Sequence, residues 1–446
     1  MTAMKVVVVG GGVAGAPAAE AAKVAGAEVT LVSMEEHIGY SRCGLPYLIG
    51  GKVKSPEDLT VYPESDLKRI GVEVVKGKAV DVSRDGKLRV ELNAGGSAEI
   101  SFDSLVLATG ASAVVPPIKG ADLPGVYTLR TIDDALEIMK AVKESKTAVI
   151  VGAGFIGLEL AENFTELGLK AVVVEMLPHV LPAVLDSDMA KILQKHLKKH
   201  GVELHVKRRV EEIAGESRAE EVIVQEVGGV KADLVVLATG VRAETELAKV
   251  AGAEIGATRG IKVDWRLQTT QPGVYACGDC AEVRNLVTGQ PALIQLGTAA
   301  VRQGRVAGEN AAGGRRAYFG GLASAVTKLF GMQVGATGLT VWQAEEAGLP
   351  VEGVRVVGRS RPHYYPGAER IYVKLVAETE QGRVVGAQIM APLEVAPRIN
   401  LVATAIQAGL TVSELAAMDS CYAPPVSEYV EPVARAAQEL QRRLKK

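Results

Sequence analysis

The residue whose type and setting most directly indicate chemistry is Cys43, in the stretch YSRCGLPY at positions 40–47. Cysteine is scarce, with four residues among 446, and this one lies among Gly44, Pro46 and two tyrosines. A free cysteine is most often a small buried hydrophobe, but a thiolate is a strong nucleophile. Pro46 suits the first turn of a helix, and a helix that begins after Cys43 would favour the thiolate. Taken alone, Cys43 would be expected in the core, but its place in this loop, between the two nucleotide folds described below, predicts a nucleophile.

The other cysteines and the histidines form weaker patterns. Cys277 and Cys280 make a CxxC, the spacing of redox pairs and of zinc half-sites. The sequence holds no second CxxC, so we expect both residues to pack in the interior. In the run KHLKKH, His196 and His200 are four residues apart without the glutamate of HExxH, which favours a solvated basic face of a helix. The sequence thus predicts no metal site.

Composition narrows the class of protein. With 50 basic and 52 acidic residues, the chain has no strong overall field for nucleic acid or an anionic membrane. The opening apolar run, residues 6–9, stops at three glycines and is too short for a signal peptide or a membrane span. Four cysteines cannot form a disulfide framework, which fits a reducing compartment. We expect a soluble, cytoplasmic protein of about three domains.

The sequence contains the same order of predicted strands, turn and helix twice. Residues 5–33 read as an apolar strand, a glycine turn, an alanine-rich helix and a second strand, and residues 147–175 repeat this order. Each copy is followed at long range by a strand and an ATG turn, LVLATG at 105–110 and VVLATG at 235–240. This is the βαβ setting in which a GxGxxG motif binds a dinucleotide. The motif glycines are Gly10, Gly12 and Gly15 in the first copy and Gly152, Gly154 and Gly157 in the second.

The two copies differ at the end of the second strand. In both, the glycines allow close approach of a pyrophosphate, and the helix N-terminus meets its negative charge. Glu175 ends the strand of the second copy, where a carboxylate accepts hydrogen bonds from ribose hydroxyls. A 2′-phosphate would meet like charge there, and the following MLPH offers no lysine or arginine, so if this fold takes a nicotinamide dinucleotide we expect NADH to be preferred over NADPH. The first copy ends instead at Ser33.

Further segments carry a resemblance to a known family. TTQPGVYACGDC, at 269–280, is similar to the second flavin fingerprint of flavoproteins with two dinucleotide folds, whose aspartate here is Asp279. RIYVKLVAE, RVVGAQIM and the apolar helices around 395–440 are similar to an interface domain. Over essentially its whole length, the chain resembles the pyridine nucleotide-disulfide oxidoreductases.

The resemblance implies an α/β fold like that of glutathione reductase. It comprises two Rossmann-like dinucleotide-binding domains and a C-terminal α+β dimerisation domain. FAD would bind a discontinuous domain, residues 1–118 and 253–321, and NAD(H) a domain inserted at 119–252. Residues 322–446 would then pair two copies into a homodimer.

The Cys43 loop resembles one branch of that family. In the glutathione reductase branch a second cysteine follows after four residues, and here that position is Leu48. YSRCGLPY is similar to the single-cysteine branch of coenzyme A disulfide reductases, NADH peroxidases, NADH oxidases and persulfide reductases, in which one thiol cycles through a mixed disulfide, sulfenic acid or persulfide. Peroxidases and many water-forming oxidases of this branch carry a histidine in the first glycine motif, where Val13 stands here. The resemblance therefore favours reduction of a disulfide, persulfide or polysulfide at Cys43.

The resemblance also implies tyrosines that reach this thiol across the dimer interface. Candidates are Tyr364 or Tyr365 in HYYPG and Tyr422 in CYAPP, whose hydroxyl could protonate or steady a departing thiolate. An interfacial aromatic without such a role is the alternative.

Substrate contacts are less well defined. Coenzyme A reductases of this branch offer polar and basic side chains from the helix after the first glycine motif, whereas alanines occupy the matching positions 18, 22 and 25 here. Lys23 and Arg42 remain as nearby cations. The expected substrate is a small disulfide, persulfide or polysulfide, with coenzyme A as one candidate carrier.

Several cofactor contacts follow from the resemblance alone. Phe155 would cover the flavin until nicotinamide displaces it, and Glu159 would line the nicotinamide site. Ser33 occupies the place of an acid that binds the FAD ribose, so Glu35 or Glu36 would replace it. The other implied contacts are Ser41, Arg42, Thr109, Gly110, Asp279 and Thr298 for FAD and Gly240 for the nicotinamide dinucleotide.

These expectations combine into one reaction with two rivals. NADH would pass hydride to FAD, and two electrons would then reach Cys43 and the sulfur substrate. An NADH oxidase would instead let reduced flavin meet oxygen directly. An electron-transfer module that docks a small redox protein would not need Cys43.

Overall fold

The structure is a computed structural model that describes residues 3–83 and 85–445. In the first segment, runs of β-branched residues such as VVVV form buried parallel strands, as expected where helices cover both faces of a sheet. Its strands are β1 (Lys5–Val9), β2 (Glu28–Ser33), β3 (Val72–Ser83), β4 (Lys87–Leu92), β5 (Ser97–Ser101), β6 (Ser104–Leu107) and β7 (Ala111–Ala113), and its helices are α1 (Gly15–Val24), α2 (Leu45–Ile49) and α3 (Glu64–Arg69).

The middle segment repeats the design in a second sheet. Its strands are β8 (Val126–Tyr127), β9 (Thr147–Val151), β10 (Lys170–Glu175), β11 (Glu203–Val206), β12 (Val210–Ala214), β13 (Glu221–Val224), β14 (Gly228–Lys231), β15 (Leu234–Leu237) and β16 (Val241–Ala243), and its helices are α4 (Ile132–Val142), α5 (Phe155–Glu166), α6 (Ser187–Lys199) and α7 (Glu246–Val250). The parallel sheet has the order β11-β10-β9-β15-β8, and β12, β13 and β14 form a separate antiparallel sheet.

The chain then returns to the first sheet. The returning elements are β17 (Ile261–Lys262), β18 (Val274–Ala276), β19 (Ala281–Arg284), β20 (Pro291–Leu293) and α8 (Gly297–Ala311). Strand β18 pairs in parallel with β6, which gives the order β18-β6-β1-β2-β3-β4-β5. Helix α8 packs against α1, and Gly304 and Gly308 allow the contact, since a Cβ there would lie 2.1 and 2.0 Å from the carbonyl oxygens of Ala14 and Ala18.

The C-terminal segment is an antiparallel sheet covered by helices. Its elements are β21 (Ala325–Leu329), β22 (Met332–Gly338), α9 (Val341–Glu346), β23 (Val351–Arg359), β24 (Arg370–Glu378), β25 (Val384–Ala391), α10 (Val395–Gln407), α11 (Val412–Ala416) and α12 (Pro432–Leu444). The sheet order is β21-β22-β25-β24-β23. The predicted fold class, two α/β dinucleotide folds followed by an α+β unit, is confirmed.

The polar carboxyl ends of the parallel strands position the site. In sheets of this kind, ligands bind outside those strand ends, where the glycine turns lie. Within residues 3–83 and 85–445, no helix is long and apolar enough to cross a membrane.

Candidate functional site

Cys43 lies in a short 3-10 turn, Arg42–Gly44, directly before helix α2. Pro46 occupies the first turn of that helix, as predicted, and Leu45 and Leu48 bury its apolar side. Cys43 itself is exposed. The reading of Cys43 as a buried core residue is therefore wrong, and the thiol is accessible for chemistry.

The protein alone does not activate this thiol. Desolvation raises the pKa of Cys43, and the carboxylates of Glu159 and Asp279 raise it further, while Arg130 opposes them. The sequence-based expectation of a favoured thiolate relied on α2, which has only five residues and thus a small dipole. In the chain by itself, two carboxylates and the loss of water outweigh that contribution.

The first glycine turn leaves room for a pyrophosphate. Gly10 has a φ of +109°, and a Cβ there would lie 2.1 Å from the carbonyl oxygen of Ala108. A Cβ on Gly15 would lie 1.7 Å from the Gly10 oxygen, whereas one on Gly12 would meet nothing within 4 Å. Gly10 and Gly15 thus fix the turn, and Gly12 faces open space at the start of α1. This arrangement fits the dinucleotide part of FAD.

Asp279 reaches the same cleft from β18. Gly278 packs beside the glycine turn, since its Cβ would lie 2.8 Å from the Cβ of Ala14. The Asp279 carboxylate accepts a hydrogen bond of 2.6 Å from the Arg130 guanidinium, whose Nε also donates to the Ala111 oxygen at 2.8 Å. Sequence reasoning missed Arg130. Its one local signal is the start of α4, where its backbone N–H donates to Asp134.

The structure distinguishes Glu35 from Glu36. Glu35 accepts a hydrogen bond of 2.6 Å from the Tyr40 hydroxyl and forms an ion pair with Arg42. Glu36 turns to Asn93, whose side-chain amide donates to it at 2.9 Å. Glu35 is thus the acid that β2 presents beside the Cys43 loop.

Arg42 and Ser41 hold that loop in place. A second Arg42 N–H donates to the carbonyl oxygen of Arg130 at 2.6 Å, and the Ser41 backbone N–H donates to Leu59 at 2.9 Å. Because its guanidinium already has these partners, Arg42 is first of all a structural link between the turn after β2 and the segment before α4. Lys23 lies at the last turn of α1, where its side chain passes Gly71.

The second glycine turn repeats the geometry of the first. Gly152 has a φ of +110°, and its Cβ would lie 2.3 Å from the Ala238 oxygen. A Cβ on Gly157 would lie 2.1 Å from the Gly152 oxygen, whereas Gly154 again has nothing within 4 Å. The turn therefore fits a second dinucleotide in the same way.

Glu175 is built into this second turn. It is 7% exposed, and its two oxygens accept hydrogen bonds of 2.8 Å from the backbone N–H groups of Ala153 and Leu177. A carboxylate has about four lone-pair sites, so it can still accept from a ribose. Lys207 and Arg208 approach the same strand end, because their N–H groups donate to Leu177 and Glu175 at 3.0 Å. Sequence reasoning missed these cations, which follow the adjacent strand β11.

Glu159 joins the middle and C-terminal segments. Its carboxylate accepts a hydrogen bond of 2.6 Å from the Thr327 hydroxyl of β21, and burial raises its pKa. Burial and the nearby Glu159 raise the pKa of Tyr47 to about 12. Phe155, the first residue of α5, is half-buried beside them. Sequence reasoning missed Thr327 and Tyr47 as partners of Glu159, and no motif marks Thr327.

The other predicted cofactor positions occupy turns around the two sheets. Thr109 donates its hydroxyl to the Glu244 oxygen at 2.6 Å, so that side chain already has a partner. Gly110 and Gly240 follow the matching strands β6 and β15 with φ of +72° and +104°. Thr298, the second residue of α8, is exposed.

Two of the three candidate tyrosines form a pair. The hydroxyl oxygens of Tyr364 and Tyr422 lie 3.0 Å apart, and the ring of Tyr429 stacks on Tyr422 with centroids 3.8 Å apart. Desolvation and the Tyr364 hydrogen bond raise the pKa of Tyr422. Tyr365 donates its backbone N–H to Pro362 and is half-buried. Among the described residues of one chain, no hydrogen bond joins any of these tyrosines to Cys43.

The CxxC and the histidine pair serve packing. Cys277 and Cys280 are fully buried, and burial raises the pKa of each thiol. His196 and His200 are half-buried rather than solvated, so that prediction was wrong. The Nε2 of His196 lies 3.2 and 3.1 Å from the oxygens of Leu329 and Phe330, and His200 stacks on the Phe330 ring. No group of three or more metal-ligating side chains occurs in the described part of the chain.

Known proteins share this arrangement. Residues 4–304 match the family model described as pyridine nucleotide-disulphide oxidoreductase, and residues 324–434 match its dimerisation domain. The chain is 40% identical to an NADH oxidase of Methanocaldococcus jannaschii, with 99% of both chains covered. It is 37% identical to an NAD(P)H coenzyme A polysulfide/persulfide reductase of Pyrococcus horikoshii, with 96% of both covered.

A solved structure agrees in fold. An NAD-dependent persulfide reductase from A. fulgidus superimposes with a TM-score of 0.95 at 38% identity, covering 99% of this chain and 84% of that one. The chain therefore belongs to the pyridine nucleotide-disulphide oxidoreductases, a family of enzymes that use FAD and NAD(P)H.

Proposed function

We propose that this protein is a homodimeric, NADH-dependent flavoenzyme that reduces disulfide, persulfide or polysulfide sulfur through Cys43. The observation that carries the proposal is the setting of that thiol. It is exposed on the turn before α2, and the carboxylates of Glu159 from the second fold and Asp279 from the first both act on it. A thiol between two dinucleotide folds is placed to take electrons from their cofactors.

Each fold supplies one cofactor site in this proposal. The first glycine turn, Glu35 and Asp279 would hold FAD, within residues 1–118 and 253–321. The second turn and Glu175 would hold NADH, within 119–252. When bound, the two cofactors supply the pair of electrons that the reduction needs.

Cys43 acts as the nucleophile. Its thiolate attacks one sulfur of the substrate, so that a new S–S bond forms to Cys43 and the substrate S–S bond breaks, and a thiolate leaves. Two electrons and a proton then release the second product as a thiol and restore the Cys43 thiolate. The thiolate is the reactive form of Cys43. Because the pKa of Cys43 is raised, the increase of the thiolate fraction with pH lies at higher pH than for an ordinary cysteine.

The tyrosine pair would assist the leaving sulfur of the other subunit. A tyrosine hydroxyl is neutral at physiological pH, and the raised pKa of Tyr422 is consistent with this, so the hydroxyl can donate a hydrogen bond to a thiolate. The Tyr364 hydroxyl, 3.0 Å away, orients that donor. The pair therefore supports Tyr364 rather than Tyr365 as the second residue.

The test of the nucleophile is Cys43→Ser, with Cys421→Ser as the control because Cys421 is the other exposed cysteine. We expect Cys43→Ser to lower anaerobic turnover of sulfur substrates by about a thousandfold or more, while NADH still reduces the flavin. The control should retain full turnover. Wild-type rates in Cys43→Ser would overturn the proposal.

The test of the tyrosines compares three substitutions. Tyr422→Phe should slow disulfide turnover by about 10²-fold, and Tyr364→Phe should have a smaller effect in the same direction. Tyr365→Phe should leave turnover unchanged, because its hydroxyl is not part of the pair. If Tyr422→Phe slowed the reduction of flavin by NADH as much as it slowed the reduction of the disulfide, the cause would be a folding defect instead.

A second candidate is direct reduction of oxygen. It is favoured by the relative of 40% identity that carries the name NADH oxidase. In that case the Cys43→Ser enzyme would still consume NADH in air. The wild type itself would show no anaerobic turnover of sulfur substrates.

A further inference from the structure

A cavity of about 370 Å³ opens at one end of the C-terminal sheet, and all the residues that line it belong to the C-terminal segment. Three arginines line it, Arg359, Arg370 and Arg435, together with His363 and Glu428. No part of the proposed reaction uses these side chains.

The three arginines occupy electrostatically unfavourable positions. Arg359 ends β23 and stands directly opposite Arg370, the first residue of β24. Like charges opposite each other on neighbouring strands destabilise a sheet. Arg435 is the fourth residue of α12, close to the positive end of the helix dipole. Within residues 3–83 and 85–445, none of the three guanidinium groups forms an ion pair or a hydrogen bond.

The charge of the cavity is unbalanced. Among the described lining residues, Glu428 is the one carboxylate, and one of its oxygens accepts the Tyr429 N–H at 3.2 Å. Three guanidinium groups against one carboxylate leave an excess of two positive charges. Guanidinium groups bind phosphate oxygens through paired N–H donors, and a concave surface concentrates their field. We propose that this cavity binds a phosphate group.

The cavity adjoins the tyrosine pair. The loop 360–369, which carries Tyr364, starts directly after Arg359 and ends directly before Arg370. On the other side, Glu428 precedes Tyr429, which stacks on Tyr422. A phosphate held by the arginines would thus lie at the base of both tyrosine segments. Its source is either a phosphorylated carrier of the sulfur substrate, which rests on the proposed function, or free phosphate or pyrophosphate.

Calorimetric titration of the full-length holoenzyme with pyrophosphate, in phosphate-free buffer, tests the site. We expect one pyrophosphate per chain in the wild type and at least about tenfold weaker binding in Arg370→Gln and in Arg435→Gln. Arg355→Gln is the matched control, because Arg355 also lies on β23 and is exposed but pairs with Asp188 at 3.6 Å. It should bind pyrophosphate as the wild type does.

Thermal unfolding shows whether a variant that no longer binds pyrophosphate is still folded. Pyrophosphate should raise the Tm of the wild type more than that of Arg370→Gln. Without pyrophosphate, Arg370→Gln should be at least as stable as the wild type, since the repulsion from Arg359 is gone. Absence of pyrophosphate binding by the wild type, or equal weakening in Arg355→Gln, would overturn the proposal. So would variants that dissociate the dimer but bind pyrophosphate normally, because the arginines would then pair with the other subunit.

Kinetics identify the source of the phosphate. A loss of kcat/KM confined to coenzyme A disulfide, with the phosphate-free disulfide pantethine unaffected, would assign the site to the substrate's carrier. Unchanged kinetics with weakened pyrophosphate binding would assign it to free phosphate. If the wild type turns over neither these disulfides nor a persulfide or polysulfide, the proposed function fails while the titration still decides whether the site exists.

Discussion

The two glycine turns have nearly the same backbone but different acids. Gly10 and Gly152 have φ values of +109° and +110°, and each lies against the carbonyl oxygen of the alanine that directly follows the adjoining strand. In the second turn, the Glu175 carboxylate bonds back to the turn itself. In the first turn, Ser33 takes that place, and Glu35 binds Arg42 beside Cys43.

This difference shows how one backbone design serves two tasks. The second fold keeps its acid within the turn, since the two hydrogen bonds that the Glu175 carboxylate accepts come from Ala153 and Leu177 of the same fold. The first fold ties its acid to the loop that carries the nucleophile, and Arg42 extends the link to Arg130. Binding of a nucleotide at Glu35 would therefore also steady the Cys43 loop.

The largest expected effect comes from adding a methyl group to the last glycine of each motif. In Gly15→Ala, the Cβ would lie 1.7 Å from the Gly10 oxygen, and in Gly157→Ala it would lie 2.1 Å from the Gly152 oxygen. Each change should destabilise its own fold by about 1–3 kcal/mol. We expect Gly15→Ala to be purified without FAD, whereas Gly157→Ala keeps FAD but is not reduced by NADH. Absorbance of bound flavin and its bleaching by NADH measure both outcomes.

The middle glycines provide the matched controls. Gly12→Ala and Gly154→Ala place a methyl group in open space, so the midpoint of thermal unfolding of the apoprotein should not change. Each should still weaken its own nucleotide, because the methyl group occupies the path of the pyrophosphate. If Gly15→Ala bound FAD normally, the first turn would not be the FAD site.

The sequence predicts the turns well because their causes are local. Strand, glycine spacing and helix lie within 29 residues in each copy, 5–33 and 147–175, and the steric demands of Gly10 and Gly152 follow from that order. The return of β18 to the first sheet was also predictable, through the fingerprint that ends at Asp279. The prediction of Cys43 as a nucleophile, with which its exposed position agrees, followed from the place of its loop between the two nucleotide folds.

The side-chain partners could not be predicted in the same way. Arg130 meets Asp279 across 149 positions, and Thr327 meets Glu159 across 168. Such contacts depend on how whole segments pack, and an isolated Thr or Arg has no periodicity that reveals it. The His196 contact with the turn after β21 failed as a prediction for the same reason, since a basic helical run resembles a solvated face until another segment covers it.

An intermediate effect is expected from the two acids. Glu175→Gln presents an amide N–H₂ to one of the N–H groups of Ala153 and Leu177 and leaves that donor unpaired. We expect the wild type to prefer NADH over NADPH by about 5- to 30-fold in kcat/KM, and this preference to shrink in Glu175→Gln. Lys207 and Arg208, close to the same strand end, would then act on a 2′-phosphate without an opposing charge.

The matching change in the first fold is Glu35→Gln. It should weaken FAD binding and leave the ratio of NADH to NADPH activity unchanged, because the side-chain partners of Glu35 among the described residues are Tyr40 and Arg42, which belong to the first fold. Steady-state kinetics with both nucleotides and equilibrium release of flavin separate the two effects. Equal use of NADH and NADPH by the wild type would show that Glu175 does not select the nucleotide.

The smallest expected effect is a shift in the pH dependence of kcat/KM for a sulfur substrate. It concerns Cys43, where carboxylates of both folds act on the thiol. Of the two carboxylates that raise the pKa of this thiol, Glu159 has the larger influence. Glu159→Gln removes a negative charge, which stabilises the thiolate and lowers the pKa of Cys43. Since the thiolate is the reactive form, the rise of kcat/KM for a sulfur substrate should move to lower pH.

Glu166→Gln is the control, because Glu166 lies on the same helix but is exposed and pairs with Lys52 at 2.8 Å. A profile that moves to higher pH in Glu159→Gln, or equally in both variants, would mean that the second fold does not set the charge state of the nucleophile.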